Sequence, residues 1–184
     1  MHFDPNNYGP AFAELLATDR NRPLDRGTPH ASSAAILDGL AHSAAFGPTQ
    51  AVNRQMADAC FAGVWLLYDH LDESHRISQH IDNASGSFWH GIMHRREGDF
   101  ANAKYWFRSV GHHAIYDALA AEAEQLATEH EVAGLLPTAD WDAAAFVDAC
   151  QQAVQRGNAA AFCRAVQQRE WELLFDHCYR MSTQ

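Results

Sequence analysis

The chain of 184 residues is predicted to fold as an all-α domain, and three observations carry that expectation. Val52, Met56, Cys60, Val64, Leu67 and Leu71 recur at steps of four, four, four, three and four, which places them on one side of an α-helix. No segment alternates apolar and polar residues with the period of a strand. The periodic segments are separated by Gly, Pro and Asn clusters of the kind that end helices.

Each element follows in order. A short helix is expected from Pro10 to about Thr18, because the fixed φ of proline suits a first helical turn. "DRNRPLDRGTPH" holds two prolines and a glycine and reads as an irregular arm. Residues 1–30 are therefore expected to form an N-terminal arm with one short helix. "ASSAAILDGLAHSAAF" reads as one Ala-rich helix closed by Gly47 and Pro48. The strongest pattern runs from Thr49 to Leu71, where Phe61, Trp65 and Leu66 widen the apolar surface, so this helix is expected at the centre. "DESHRISQHID" follows as a short helix with Asp72 available as its N-cap. After the loop "NASGS", Gly98-Asp99 divides residues 85–110 into two helices of about 85–97 and 100–110. "AIYDALAAEAEQLATEHE" is a good helix former. Thr138 or Asp140 is placed to cap the next helix, "WDAAAFVDACQQAVQR", which stops at Gly157-Asn158. A last helix spans about Ala159 to Met181, with Phe162, Val166, Leu173 and His177 on one side. No linker or low-complexity tract divides the chain, so a single domain over 1–184 is expected.

Composition excludes several function classes. Apolar residues make up 47% and charged residues 20%, a globular balance. The formal charge of -10 argues against general nucleic-acid binding, which requires a basic surface. No run reaches the roughly 18 apolar residues of a membrane helix, and the opening "MHFDPNNYGPAF" lacks a secretory pattern; a cytoplasmic location is the resulting expectation. Cys60, Cys150, Cys163 and Cys178 contain no CxxC pair and read as buried core thiols.

Residues 88–107, "FWHGIMHRREGDFANAKYWF", are the densest in chemistry. His90 and His94 are four apart and Glu97 lies three further on, so all three fall within roughly 60° of helical arc. Two imidazoles and a carboxylate can supply half a coordination sphere for zinc, iron or manganese. His75 in "DESHRISQ" can complete it, with Asp69, His70 or Asp72 as further sources. The HExxH pattern of zinc proteases is absent, because Gly91 follows the first His. The bland alternative is that His90 and His94 simply pack in a helix seam.

Two other readings use the same stretch. Between residues 88 and 110, Arg95, Arg96, Lys104 and Arg108 oppose only Glu97 and Asp99, a net of +2 in an acidic chain. With Asn102 and Tyr105 they form a candidate site for a small anionic molecule. The aromatics Phe88, Trp89, Tyr105, Trp106 and Phe107 can floor a pocket or fill the core. Ser74 and His75 are adjacent, hence about 100° apart on a helix, and cannot form a local nucleophile–base dyad.

The hairpin residues also carry resemblances. With Gly91 as the small residue of a first helix, Gly98, Phe100, Ala103 and Phe107 fall where a tetratricopeptide unit carries Gly, an aromatic, Ala and an aromatic. One unit of about 34 residues resembles that repeat, although His90 and His94 stand where bulky apolar residues are usual. "DESHRISQ" followed by "GSFWHGIMHRREGDFANAKYWFRSVG" resembles the core of a family of uncharacterised bacterial and fungal proteins. That resemblance covers residues 65–113, implies that they act together, and names no catalytic residue. The leading expectation is a small-ligand or metal-dependent protein with a pocket between the 72–80 and 85–108 helices. The alternatives are a tetratricopeptide-like helical adaptor and a structural homodimer.

Overall fold

The computed structural model describes residues 2–29, 31–47, 50–137 and 140–184. Among them, ten α-helices and one short 3-10 turn (Pro5–Tyr8) form an all-α bundle. The helices are α1 (Pro10–Leu16), α2 (Ala31–Asp38), α3 (His42–Phe46), α4 (Arg54–Leu67), α5 (Leu71–Ser78), α6 (Ala84–Glu97), α7 (Phe100–Val110), α8 (Tyr116–Glu129), α9 (Ala143–Arg156) and α10 (Ala160–Ser182). None of them is long and apolar enough to cross a membrane.

Local chemistry explains most boundaries. Asn53, Asn83, Asp99 and Asp142 each cap a helix by accepting a backbone N–H of the first turn, that of Met56, Gly86, Asn102 and Ala145 respectively. Gly98 and Gly157, with φ of 89° and 75°, end α6 and α9 in the left-handed conformation that glycine adopts without strain. The Gly98-Asp99 break therefore stands where the sequence places it.

Four expectations about local structure are corrected. The Ala-rich segment is two helices, since the chain turns at Gly39 and Leu40 before α3 begins. The long helix starts at Arg54, beyond its Asn53 cap, which leaves Val52 outside it and exposed. It stops at Leu67 because Asp69 takes a φ of 65°, and α5 then starts from His70. Asp72 consequently sits in the first turn of α5, where its charge favours the helix dipole, and does not cap it. For α9 the cap is Asp142 and not Asp140; Thr138, like Pro48 and Thr49, lies outside the described residues.

The core is built around α4, whose residues from Met56 to Leu67 are buried on nearly every side. Gly63 makes this possible, because a Cβ there would lie 2.7 Å from the Trp89 ring of α6. From the other side, Trp171 of α10 donates its indole N–H to the Gly63 carbonyl at 2.9 Å. The N-terminal segment is more than a surface arm. Phe3, Tyr8 and Phe12 are buried, and their rings pack on Phe175 and Tyr179 of α10. All four cysteines are free and buried, as expected of core thiols.

Helix α6 is buried along almost its whole length despite its polar composition. Its charges are satisfied inside the protein. Arg95 and Glu170 of α10, both 0% exposed, form a two-toothed ion pair. The same guanidinium lies 4.6 Å from the Phe146 ring centroid and also donates to Gln167. Arg96 donates to the Leu66 carbonyl at 2.8 Å, to the Asp25 carbonyl at 3.1 Å and to Asp69 at 2.6 Å. Asp69 also accepts from Arg22, so the coil 20–29 is pinned to the bundle by a buried carboxylate.

Truncating one member of the central pair strands a charge in the core. Glu170→Ala is expected to destabilise the fold by about 3–5 kcal/mol in urea denaturation, whereas replacing Arg95 and Glu170 together by Met and Leu is expected to cost far less. Equal losses in the single and double variants would contradict this assignment.

A pH dependence follows from His113, which is buried in the turn before α8. Its Nε2–H donates to Ser85 Oγ at 3.0 Å, and its Nδ1 accepts the Ile115 N–H at 3.4 Å, so the ring is neutral. Burial, then the neighbouring His177 and His112, push its pKa down to about 4. An unfolded imidazole titrates near 6.5, so between pH 6.5 and about 4 the unfolded chain binds the extra proton. Stability is expected to be full above pH 6.5 and to fall as the pH drops through that window, with a shallower fall in His113→Gln. A slope unchanged by this substitution would exclude His113 as its source.

Candidate metal centre

Three imidazoles converge where α5, α6 and α7 meet. Helix α5 supplies His75, and α6 supplies His90 and His94 from successive turns of one face. Their ring centroids are 4.5 Å (75–90), 4.8 Å (90–94) and 5.5 Å (75–94) apart. One ligand nitrogen from each lies within 4.8 Å of those of the other two. His90 and His94 are buried and His75 is half-buried, so the group opens towards the surface on the α5 side. Close packing of α7 on α6 sets the third wall. A Cβ at Gly91 would lie only 3.0 Å from the Phe107 ring, and the half-buried Trp106 packs on His90 at 4.1 Å between centroids.

Hydrogen bonds on the outer side of the rings fix their tautomers. The Ser78 hydroxyl donates to the His75 carbonyl at 3.3 Å, so its oxygen accepts from His90 Nδ1–H at 3.0 Å. The Glu97 carboxylate accepts from His94 Nδ1–H at 3.2 Å. Both rings therefore carry an unprotonated Nε2. Serine and carboxylate partners on the remote nitrogen are the arrangement that orients metal-bound histidines. His94 Nε2 accepts the Asn102 amide at 3.0 Å, a bond that a metal ion would displace. The His75 imidazole has no hydrogen-bond partner among the described residues.

Electrostatics keep His90 and His94 neutral. Burial, then His94 and His75, push the His90 pKa down to about 3. Burial also lowers that of His94, against the opposing pull of Glu97. Both side chains thus present lone pairs and not protons near neutral pH.

The structure separates the metal and anion sets expected from sequence. His75, His90 and His94 come together, while Glu97 stands one step back. Its carboxylate is taken by His94 Nδ1 and by Arg26 at 2.7 Å, so it orients a ligand and does not join the group. Asp69 is held by Arg22 and Arg96, Asp72 by Arg26, and His70 by Ser33 at 3.0 Å. The six anion residues do not converge. Arg95 and Arg96 turn inward to Glu170 and Asp69, and Lys104 pairs with Asp148. Arg108 lies 5.9 Å from the Tyr105 ring, Tyr105 is exposed, and Asn102 belongs to the imidazole cluster. The reason is the burial of α6, which obliges each of its charges to find a partner within the protein. Of the aromatics, Phe88, Trp89 and Phe107 fill the core and only Trp106 touches the imidazoles. Ser74 is buried with its hydroxyl unpaired among the described residues, in keeping with the absence of a dyad with His75.

Sequence reasoning missed Ser78 and Arg26. Ser78 lies three residues beyond His75, one turn along the same helix, and that spacing is its only signal. Arg26 belongs to a distant coil and carries none. No protein-family model, curated protein or solved structure matches the chain.

At pH 7, long-range proton–nitrogen spectra are expected to show both His90 and His94 as Nδ1–H tautomers. Glu97→Ala should alter the His94 signals and leave those of His90 in place. An Nε2–H pattern for either ring would contradict the orientation derived above.

Proposed function

We propose that this protein binds one divalent transition-metal ion, zinc in preference, through His75, His90 and His94. The observation that carries the reading is the convergence of three imidazole nitrogens within 4.8 Å, two of the rings being held by Ser78 and Glu97 through Nδ1. Zinc–nitrogen bonds of about 2.0–2.1 Å place tetrahedral ligands about 3.3 Å apart. The 4.8 Å limit on the three nitrogens is thus closed by a ring movement of about 1.5 Å. His75, half-buried and without a hydrogen bond, can supply it.

The ligand set also favours one metal over another. Three neutral imidazoles suit zinc, whereas manganese favours carboxylate oxygen and the usual non-haem iron triad requires one carboxylate ligand. Glu97 is already committed to His94 and Arg26. Three protein ligands leave a fourth position for water or a small ligand. Such a centre keeps its full double charge, lowers the pKa of bound water towards 7 and can polarise a carbonyl or phosphoryl oxygen. The adaptor reading has less support, because α6 is buried from Phe88 to Arg96 and offers no free groove.

Elemental analysis of protein purified without an affinity tag is expected to find about one zinc per chain, removed by a strong chelator and restored by added zinc. His90→Ala and His94→Ala should lose it, and Glu97→Ala should bind it about 10–100-fold more weakly. Full metal content in the histidine variants, or failure of the wild-type chain to take up any divalent ion, would reject the proposal.

A further inference from the structure

A hollow of about 980 Å³ lies between the coil 22–29 and the C-terminal end of α6, with Phe100 and Val154 also in its lining. Ligand pockets commonly span about 300–1,000 Å³, so it can hold an organic molecule of moderate size.

Its floor carries an uneven charge. Two guanidinium groups, Arg22 and Arg96, converge on one carboxylate, Asp69, which is 0% exposed. These three groups alone carry a net charge of +1. The other charged residues in the lining are Asp25, Arg26, Arg95 and Glu97. Arg95 is neutralised by Glu170, and Glu97 is shared by Arg26 and His94. Asp25 is exposed, and its carboxylate accepts the Gly27 N–H. Arg96 is 2% exposed and has all three of its nitrogens engaged. Arg22 differs: it is 23% exposed, and its Nη1 has no hydrogen-bond partner among the described residues.

Apolar side chains make up part of the lining. Val154 is 48% exposed on α9, Phe100 is half-buried, and Leu24 is buried. An exposed valine lining the same hollow as a guanidinium with an unengaged Nη1 matches a molecule with one anionic end and one hydrocarbon end. We propose that this hollow binds an organic carboxylate, its head group on Arg22 Nη1 and its apolar body along Phe100 and Val154. The charge-assisted bond fixes orientation, and the burial of hydrocarbon supplies the remainder of the attraction. The proposal does not depend on the metal reading, since none of the three imidazoles lines the hollow.

The test is calorimetric titration with octanoate, using 1-octanol as the uncharged control. Octanoate is expected to bind saturably at one site, at least about tenfold more tightly than octanol, given that a hydrogen bond to a charged group contributes about 1.5–3 kcal/mol. Arg22→Gln should weaken octanoate by about the same factor. Because Arg22 also holds the coil, Val154→Glu serves as the second variant: it changes an exposed side chain, should leave the melting temperature unaltered, and should repel the carboxylate. Octanoate affinity should be unchanged in His94→Ala, which separates this hollow from the imidazole cluster. The proposal is overturned by the absence of saturable binding, by equal affinity for octanol, by full affinity in Val154→Glu, or by loss of binding in His94→Ala.

Discussion

The architecture depends on burying a polar helix. Helix α6 carries two histidines and two arginines within seven consecutive positions that also include Gly91, and nearly all of it is removed from water. Each buried polar group carries a large cost unless it finds a partner. The partners are Glu170 for Arg95, Asp69 for Arg96, Ser78 for His90 and Glu97 for His94, drawn from α10, the α4–α5 turn, α5 and α6 itself. The bundle is arranged so that these groups meet, and the apolar core fills the space around them.

One consequence is that fold and site are parts of the same network. Arg26 contacts both Asp72 and Glu97, so the coil that closes the large hollow also ties the first turn of α5 to the last turn of α6. Glu97 in turn steadies His94. The imidazole cluster is thus held by α5 and α6 at two heights: by Ser78 deep in the seam and by Arg26 at the rim.

How much was legible in the sequence follows from the same constraint. The all-α class and the glycine stops depend on local chemistry, and the structure bears them out; the caps named from sequence, Asp72 and Asp140, are not the ones used. The central helix was visible through its apolar period, although Val52 shows that a periodic residue can sit just outside the cap. Helix α6 was harder to read because it is surrounded on all sides, so its arginines carried no one-sided pattern and looked like a solvated basic patch. His75, His90 and His94 could be grouped because two share a helix face and the third lies on the neighbouring helix. The role of Glu97 could not, since helical spacing places a carboxylate near an imidazole without saying which of the two faces inward. Ion pairs such as Arg95–Glu170 join residues 75 positions apart and have no local signature.

The four thiols have an experimental use of their own. Cys60, Cys150, Cys163 and Cys178 are sealed between helices, on α4, α9 and α10. In the native state an alkylating reagent has no route to their sulfur atoms. Labelling must therefore wait for helices to separate, and its rate at each position reports how often that part of the bundle opens. The chain thus carries four intrinsic probes of its own breathing, with Cys60 set in the central helix.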